Sequence, residues 1–300
     1  MEKTNTETPV VINDGSNFPI LKTIEWFDDR FYKIRLSNGE IDYFPSVTTV
    51  LEVVNKPFLA HWRGEIGNEL ADQKMNEAAR KGIAIHHACA VIAQGGRVDW
   101  INSELSEELE REKSLAQMRH YFGDSFFVFR RTQEDWIHVV RFFRWWTALN
   151  PKLIYSEHKV YSMKKKVAGT LDFAIEIKEG DYQISGKELI HLASGIYIVD
   201  LKTGKEIHDS HFLQVGQYAD MIDVPIVGAM ILHTNTQIRT GIEGVKTYVR
   251  TLEQIVSDIK DFDAAHALWL RENSAYKPKV LELPTSLSLV PLQINSNGGK

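Results

Sequence analysis

The segment GIYIVDLK at residues 195–202 ends an apolar run on an acid and an ammonium, Asp200 and Lys202. Two residues apart on a strand, they project from one face. Acid–X–lysine alone is background here, because Glu157-His158-Lys159, Glu176-Ile177-Lys178 and Asp258-Ile259-Lys260 repeat the type. Chemistry requires convergence. A hard divalent cation such as magnesium takes oxygen ligands at about 2.0–2.1 Å, so two carboxylates must reach one point. Asp172 and Glu176 on a single strand stand roughly 13 Å apart. Asp258 and Lys260 fall on a helix, where i and i+2 do not face each other. Asp172 and Asp200, from neighbouring strands, can meet, with Lys202 beside them. The other reading of this trio is a structural salt bridge between strand ends.

The strand carrying Asp172 fits the pairing. In GTLDFAIEI, the spacing predicts Leu171, Phe173, Ile175 and Ile177 on one side and Asp172 on the other, and Gly169 leaves room for a closely approaching group. Downstream, Gln214 and Tyr218 share a helix face at i, i+4, either as site residues or as helix surface and core. Upstream, RKGIAIHH puts His86 four residues after Gly82 on another helix, with His87 as a competing imidazole.

These residues need elements to hold them. Residues 1–20 read as a flexible leader. Aromatic and β-branched residues from Thr23 to Phe44 flank Ser37-Asn38-Gly39, which predicts a hairpin. Ser46 is placed to cap a helix SVTTVLEVV, and Pro57 opens a second helix with Phe58, Leu59 and Trp62 on one face. Residues 68–93 read as helix interrupted at Gly82. ELSEELEREK at 104–113 is an acidic, solvated helix or loop, and 135–149 is a core helix whose aromatics pack. After Pro151 the period changes to strands, LIYSEHKVYS, VAGTLDFAIEI and GIYIVDLK, with a hairpin extension in EGDYQISGKELIHLAS that could fold over the site. A helix at 211–222, a strand at 224–234 and a last helix at 257–270 follow. The whole predicts an α/β fold, a central mixed β-sheet flanked by helices, preceded by the N-terminal hairpin and helical region. One folded unit spans 21–275, and 276–300 is an extended tail.

Bulk properties narrow the class. Three hundred residues with 43% hydrophobic and 25% charged positions suit a globular protein. Cys89 is the single cysteine, which excludes an internal disulfide and a four-cysteine metal site within one chain. No apolar run reaches the roughly 20 residues of a membrane helix, and MEKTNTETPVV lacks a signal-peptide core, so the expectation is a cytoplasmic protein without a membrane partner. The net charge of −5 argues against wholesale nucleic-acid wrapping and leaves room for a local basic groove. Lys164-Lys165-Lys166 in a strand connection is either a solvated turn or a phosphate contact. Trp62, Trp145 and Trp146 either stack on bases or pack in the core.

Taken in order, Gly82…His86, Gly169-Thr-Leu-Asp172, Asp200-Leu-Lys202 and Gln214…Tyr218 resemble the PD-(D/E)XK nucleases, in particular the RecB-type exonuclease branch. The stretch PSVTTVL…FLAHW…RKGIAIHH is similar to phage-encoded exonucleases and the mitochondrial genome maintenance exonuclease; the resemblance spans roughly residues 44–234. It implies a restriction-endonuclease-like core and a metal-dependent DNA exonuclease acting at strand ends or in single strands, alongside recombination or replication proteins, in the host cytoplasm if phage-encoded. It implies magnesium or manganese held by His86, Asp172, Asp200 and the backbone carbonyl of Leu201, with Lys202 orienting or deprotonating water and Glu157 acting through water. It implies DNA contacts from Gln214, Tyr218, Ser46 and Thr48, with Lys165 beside them. The cysteines of iron–sulfur relatives are absent, as is the phosphate-binding loop of a nucleotide-driven motor, so no iron–sulfur cluster and no nucleotide are expected. The alternatives are a non-catalytic DNA-binding module on the same scaffold and a structure-specific endonuclease.

Overall fold

A computed structural model describes residues 20–26, 29–54, 57–104, 125–185, 188–235 and 244–278. Almost all of the expected leader, most of the acidic 104–113 stretch and most of the tail lie outside these residues. Three strands open the chain: β1 (Ile20–Trp26), β2 (Asp29–Arg35) and β3 (Ile41–Pro45), paired antiparallel in that order. The expected hairpin is β2–β3, turning at Gly39 with φ 85°, which glycine adopts without strain; β1 makes it a three-stranded sheet. Ser46 caps α1 (Val47–Val50), its Oγ accepting from the Thr49 N–H at 2.9 Å. The helix expected over SVTTVLEVV stops there, giving way to a 3-10 turn at Leu51–Val53. Its β-branched run is stiff at χ1 and propagates a helix poorly.

Helix α2 (Pro57–Ile66) leads into α3 (Asn68–Ala93), which runs unbroken through Gly82. Glycine weakens a helix without ending it, and the nearest atom to a side chain at Gly82 is Thr203 Oγ1, 3.8 Å away. Next come β4 (Arg97–Asn102) and β5 (Phe126–Arg131), a parallel pair that periodicity did not reveal. Helix α4 (Gln133–Leu149) is capped by Thr132. Then follow β6 (Lys152–Ser162), β7 (Val167–Ile177), β8 (Gly180–Ser185), β9 (Glu188–Leu192), β10 (Gly195–Lys202), α5 (Asp209–Met221), β11 (Gly228–His233), β12 (Lys246–Arg250) and α6 (Leu252–Glu272).

The central sheet has the order β12-β11-β10-β7-β6, with β10 and β11 parallel and the other neighbours antiparallel. Period-two alternation buries both faces. Phe173, Ile175, Val199, Leu201, Met230 and Leu232 meet Phe142 and Trp145 of α4 and Ile85 of α3. Ala174, Ile198, Ala229 and Ile231 meet Val215 and Tyr218 of α5 and Ile255 and Phe262 of α6. The protein is thus mixed α/β, a mixed central sheet with helices on each side. No helix of the described residues is long and apolar enough to cross a membrane.

The β8–β9 extension packs away from the site. Ile184 and Leu192 join the core beside α4, and the Thr247 N–H of β12 donates to Ser185 Oγ at 3.2 Å. Its apolar inner residues hold it there rather than over the acids. Trp145 is core, 3% exposed, with its indole N–H on Thr247 Oγ1 at 3.0 Å.

Candidate active site

Sheet register delivers the acids. Antiparallel pairing of β10 with β7 ends at Val199↔Phe173, so Asp200 and Asp172 face one another one step further on. There the Leu201 N–H donates to Asp172 Oδ2 at 2.6 Å in place of a ladder bond. On the far side of β7, the pairs Ser156↔Phe173 and His158↔Leu171 bracket Glu157 opposite Asp172. Three carboxylates therefore lie in one row across β6, β7 and β10. Regular pleating fails in that row. Glu157 has φ 50°, a left-handed value inside a strand, and Leu171 packs with Ala174 rather than with Phe173, Ile175 and Ile177. The single-sided set expected for β7 breaks at Asp172, whose carboxylate takes the Leu201 N–H and meets His86 of α3.

Helix α3 lays His86 over the row, its Nδ1 3.1 Å from Asp172 Oδ1. His87 also lines the pocket but meets Phe127 edge to face, with ring centroids 4.4 Å apart. From α5, Gln214 organises the lysine end. Its Oε1 accepts from Lys202 Nζ at 2.9 Å, and its Nε2 donates to Asp200 Oδ1 at 3.3 Å and to Tyr218 Oη at 3.1 Å. Lys202 Nζ stands 2.8 Å from Asp200 Oδ2. That buried oxygen has a charge contact but no aligned hydrogen bond. Gly169 makes the packing possible: a Cβ there would collide with the Tyr218 ring.

The electrostatics are those of crowded acids. Burial and the Asp172 charge push the Glu157 carboxyl up to about 7, although the side chain reaches the pocket mouth. Burial and Asp172 likewise push Asp200 up to about 6 despite Lys202. Burial opposes ionisation of Asp172, yet His86, Lys202 and the Leu201 N–H hold it below the usual range. Burial pulls His86 down, and the surrounding carboxylates overcome this and lift it to about 9. Such a set is relieved by a cation. His86, Glu157 and Asp172 bring one ligand atom each within 4.8 Å of one another. Imidazole with carboxylate oxygens fits a divalent ion of the magnesium or manganese kind; Asp200, expected as a ligand, lies outside that group of three, its Oδ2 set against Lys202 Nζ.

One pocket of about 420 Å³ gathers most of the expected residues: Thr48, His86, Glu157, Asp172, Asp200, Lys202, Gln214 and Tyr218. Leu201 is fully buried and reaches the site through its backbone. Two expected DNA contacts sit elsewhere. Ser46 is 3% exposed and spends its hydroxyl on the α1 cap. Lys165 is held by Asp220 at 3.0 Å, Asp263 at 2.6 Å and Gln217 at 3.0 Å, tying the β6–β7 turn to α5 and α6. Its turn lies against two acidic helices, which claim the ammonium. Arg30, Ile83 and Thr170 line the pocket unforeseen. Only Thr170, next but one before Asp172 on β7, had a sequence signal. No family model matches the chain, and no curated protein matches it.

Proposed function

We propose that the protein is a metal-dependent deoxyribonuclease of the PD-(D/E)XK kind with a restriction-endonuclease-like core, working as an exonuclease on DNA with free ends or single strands. The observation that carries this is the row Glu157–Asp172–Asp200 across three adjacent strands, with Lys202 at one end and His86 above. A structural salt bridge needs one acid per base, whereas here three carboxylates are gathered at a pocket open to solvent. Buried charge clusters are a poor route to stability. On this reading the protein acts in replication, recombination or repair, in the cytoplasm, with DNA and the proteins of those processes as partners.

In the reaction, water adds to phosphorus, the P–O ester bond breaks, and the departing oxygen takes a proton. His86, Glu157, Asp172 and Asp200 would hold magnesium or manganese, which when bound polarises the phosphate and favours hydroxide from water. Lys202 Nζ orients the attacking water and meets the charge that builds on a non-bridging oxygen. Gln214 fixes that ammonium by accepting from it while donating to Asp200, and Tyr218 anchors Gln214. Asp172, locked by the Leu201 N–H and His86, cannot swing away as charge redistributes.

The test is digestion of linear DNA labelled separately at each terminus, with circular DNA alongside, in magnesium or manganese. Linear DNA is expected to shorten from an end while circles persist. Lys202→Ala should lower the rate by about 10²–10³ with an unchanged circular dichroism spectrum. Cutting of circles would make it an endonuclease. Salt-sensitive binding without cleavage in either metal would make it a binding module and end the enzymatic reading.

A further inference from the structure

Lys202 is the last residue of β10, and three consecutive residues at the end of β11 grip the main chain around it. The register sets Lys202 against His233 in the parallel pair. The Thr234 N–H donates to the Lys202 carbonyl at 3.0 Å, and the Thr234 hydroxyl donates to the same oxygen at 3.4 Å. Asn235 Nδ2 donates to the Thr203 carbonyl at 3.0 Å, and His233 Nε2 donates to the Gly204 carbonyl at 2.8 Å. The carbonyls of Lys202, Thr203 and Gly204 are all taken. Behind them stands α4. His138 Nδ1 lies 2.9 Å from Thr234 Oγ1, and Arg141, one turn on, donates to the Thr234 carbonyl. We infer that His138 and Thr234 are positioning residues for Lys202, acting through its main-chain carbonyl; this rests on the nuclease reading.

The hydrogen bonds run in one direction. A hydroxyl has a single proton; that of Thr234 goes to the Lys202 carbonyl, so Thr234 Oγ1 accepts from His138. Burial, with Lys81 and Arg141 nearby, keeps this imidazole neutral, and a neutral ring carries its proton on one nitrogen. His138 is therefore the Nδ1–H tautomer, whereas His233, donating from Nε2 to a carbonyl, is the opposite one. His138 and Thr234 are both buried, so bulk water does not replace a lost partner. Bonds chained in this way polarise one another. The lysine needs both of its ends fixed. Its ammonium is set between Asp200 Oδ2 at 2.8 Å and Gln214 Oε1 at 2.9 Å, on a flexible stem. The Thr234 contacts fix the peptide from which that stem departs. An apolar side chain at 138 or 234 would fill the same space and make none of these bonds, so positioning is separable from packing.

The experiment sets shape against hydrogen bonding at both positions. Thr234→Val keeps the volume and the main-chain N–H but loses the hydroxyl; Thr234→Ser keeps the hydroxyl and loses a methyl. His138→Leu fills the ring's space without a donor, whereas His138→Asn places an amide N–H where the Nδ1–H stands. On linear DNA with manganese, Thr234→Val and His138→Leu should lower kcat about 10- to 100-fold, with KM and the circular dichroism spectrum unchanged. Thr234→Ser and His138→Asn should keep most of the wild-type rate. In the Lys202→Ala background, Thr234→Val should cost nothing further, because the group it positions is gone. Independently of cleavage, nitrogen-15 spectra of histidine-labelled protein should show a protonated Nδ1 signal that disappears in His138→Asn. Full activity in all four variants overturns the role. So does the reverse ranking, in which the volume-keeping variants work and the hydrogen-bonding ones fail, because packing alone then matters. An equal loss in Thr234→Val with and without Lys202, or a His138 ring protonated at Nε2, overturns it too. Each of these leaves the nuclease reading standing. Wild-type protein that cuts no DNA in either metal overturns both.

Discussion

Glu157 is a non-glycine residue at φ 50° within a strand, a conformation that costs an L-residue roughly 1 kcal/mol or more. Its carboxyl also faces Asp172 across the β6–β7 pair. Both burdens are tolerated where a site needs them. Replacing it with glycine removes both, so Glu157→Gly should raise stability by about 1 kcal/mol in chelator while weakening manganese binding. Urea unfolding and metal titration of the same variant check the two halves, and a loss of stability would show that the acid is structural. Gly169 makes the opposite case. Its Cβ position is filled by the Tyr218 ring, and Tyr218 is buried and hydrogen-bonded to Gln214. Gly169→Ala should destabilise by about 1–3 kcal/mol and displace the Gln214–Lys202 contact, lowering cleavage beyond what the lost stability explains. Thermal melts with activity measured well below the transition separate the two effects.

Elements act as the frame that makes these residues meet. Lys165 shows an element-level role in place of the expected contact with DNA: it joins the β6–β7 turn to Asp220 of α5 and Asp263 of α6. With both acids partly exposed and screened, Lys165→Gln should cost only about 1 kcal/mol and leave DNA affinity unchanged; a clear drop in affinity would return Lys165 to the substrate path. Behind Lys202, α4 supplies a buttress. His138, 4% exposed, sets Nδ1 2.9 Å from Thr234 Oγ1, and the Thr234 N–H donates to the Lys202 carbonyl at 3.0 Å. Burial, with Lys81 and Arg141 nearby, drives the imidazole down to about 3. Unfolded histidine titrates near 6.5, so below that value the unfolded chain takes a proton that the folded protein refuses. The stability is present above 6.5 and is lost as pH falls towards 3. Between pH 7 and pH 5 the wild type should lose about 2 kcal/mol more than His138→Gln, measured by urea unfolding at both values.

At the scale of the molecule, the sequence pattern exposed the sheet strands bearing Asp172 and Asp200 because each carries an acid in an otherwise apolar run. The flanking helices were legible from apolar spacing. Less was visible where structure depends on distant partners: β4 and β5 are six residues each and pair across a long connection, so no turn marks them. Glu157 looked regular because a left-handed residue leaves no trace in composition, and Arg30 stood alone at a strand start with nothing spaced to match it. The fold concentrates three acids in a chain already at net charge −5, and on the proposed reading a bound cation relieves their repulsion. Binding to the folded form alone stabilises by RT ln(1 + [L]/Kd), about 2.7 kcal/mol at one hundred times Kd. The melting temperature should therefore climb with manganese or magnesium, each further tenfold in metal adding about 1.4 kcal/mol beyond saturation. Asp172→Asn, which empties the centre of the row, should flatten that response. Lys202→Ala should keep it, because the ammonium competes for Asp200 rather than holding the ion. A melting temperature indifferent to both metals at millimolar concentration would mean that His86 and Lys202 alone neutralise the row, and that the acids serve the fold rather than a reaction.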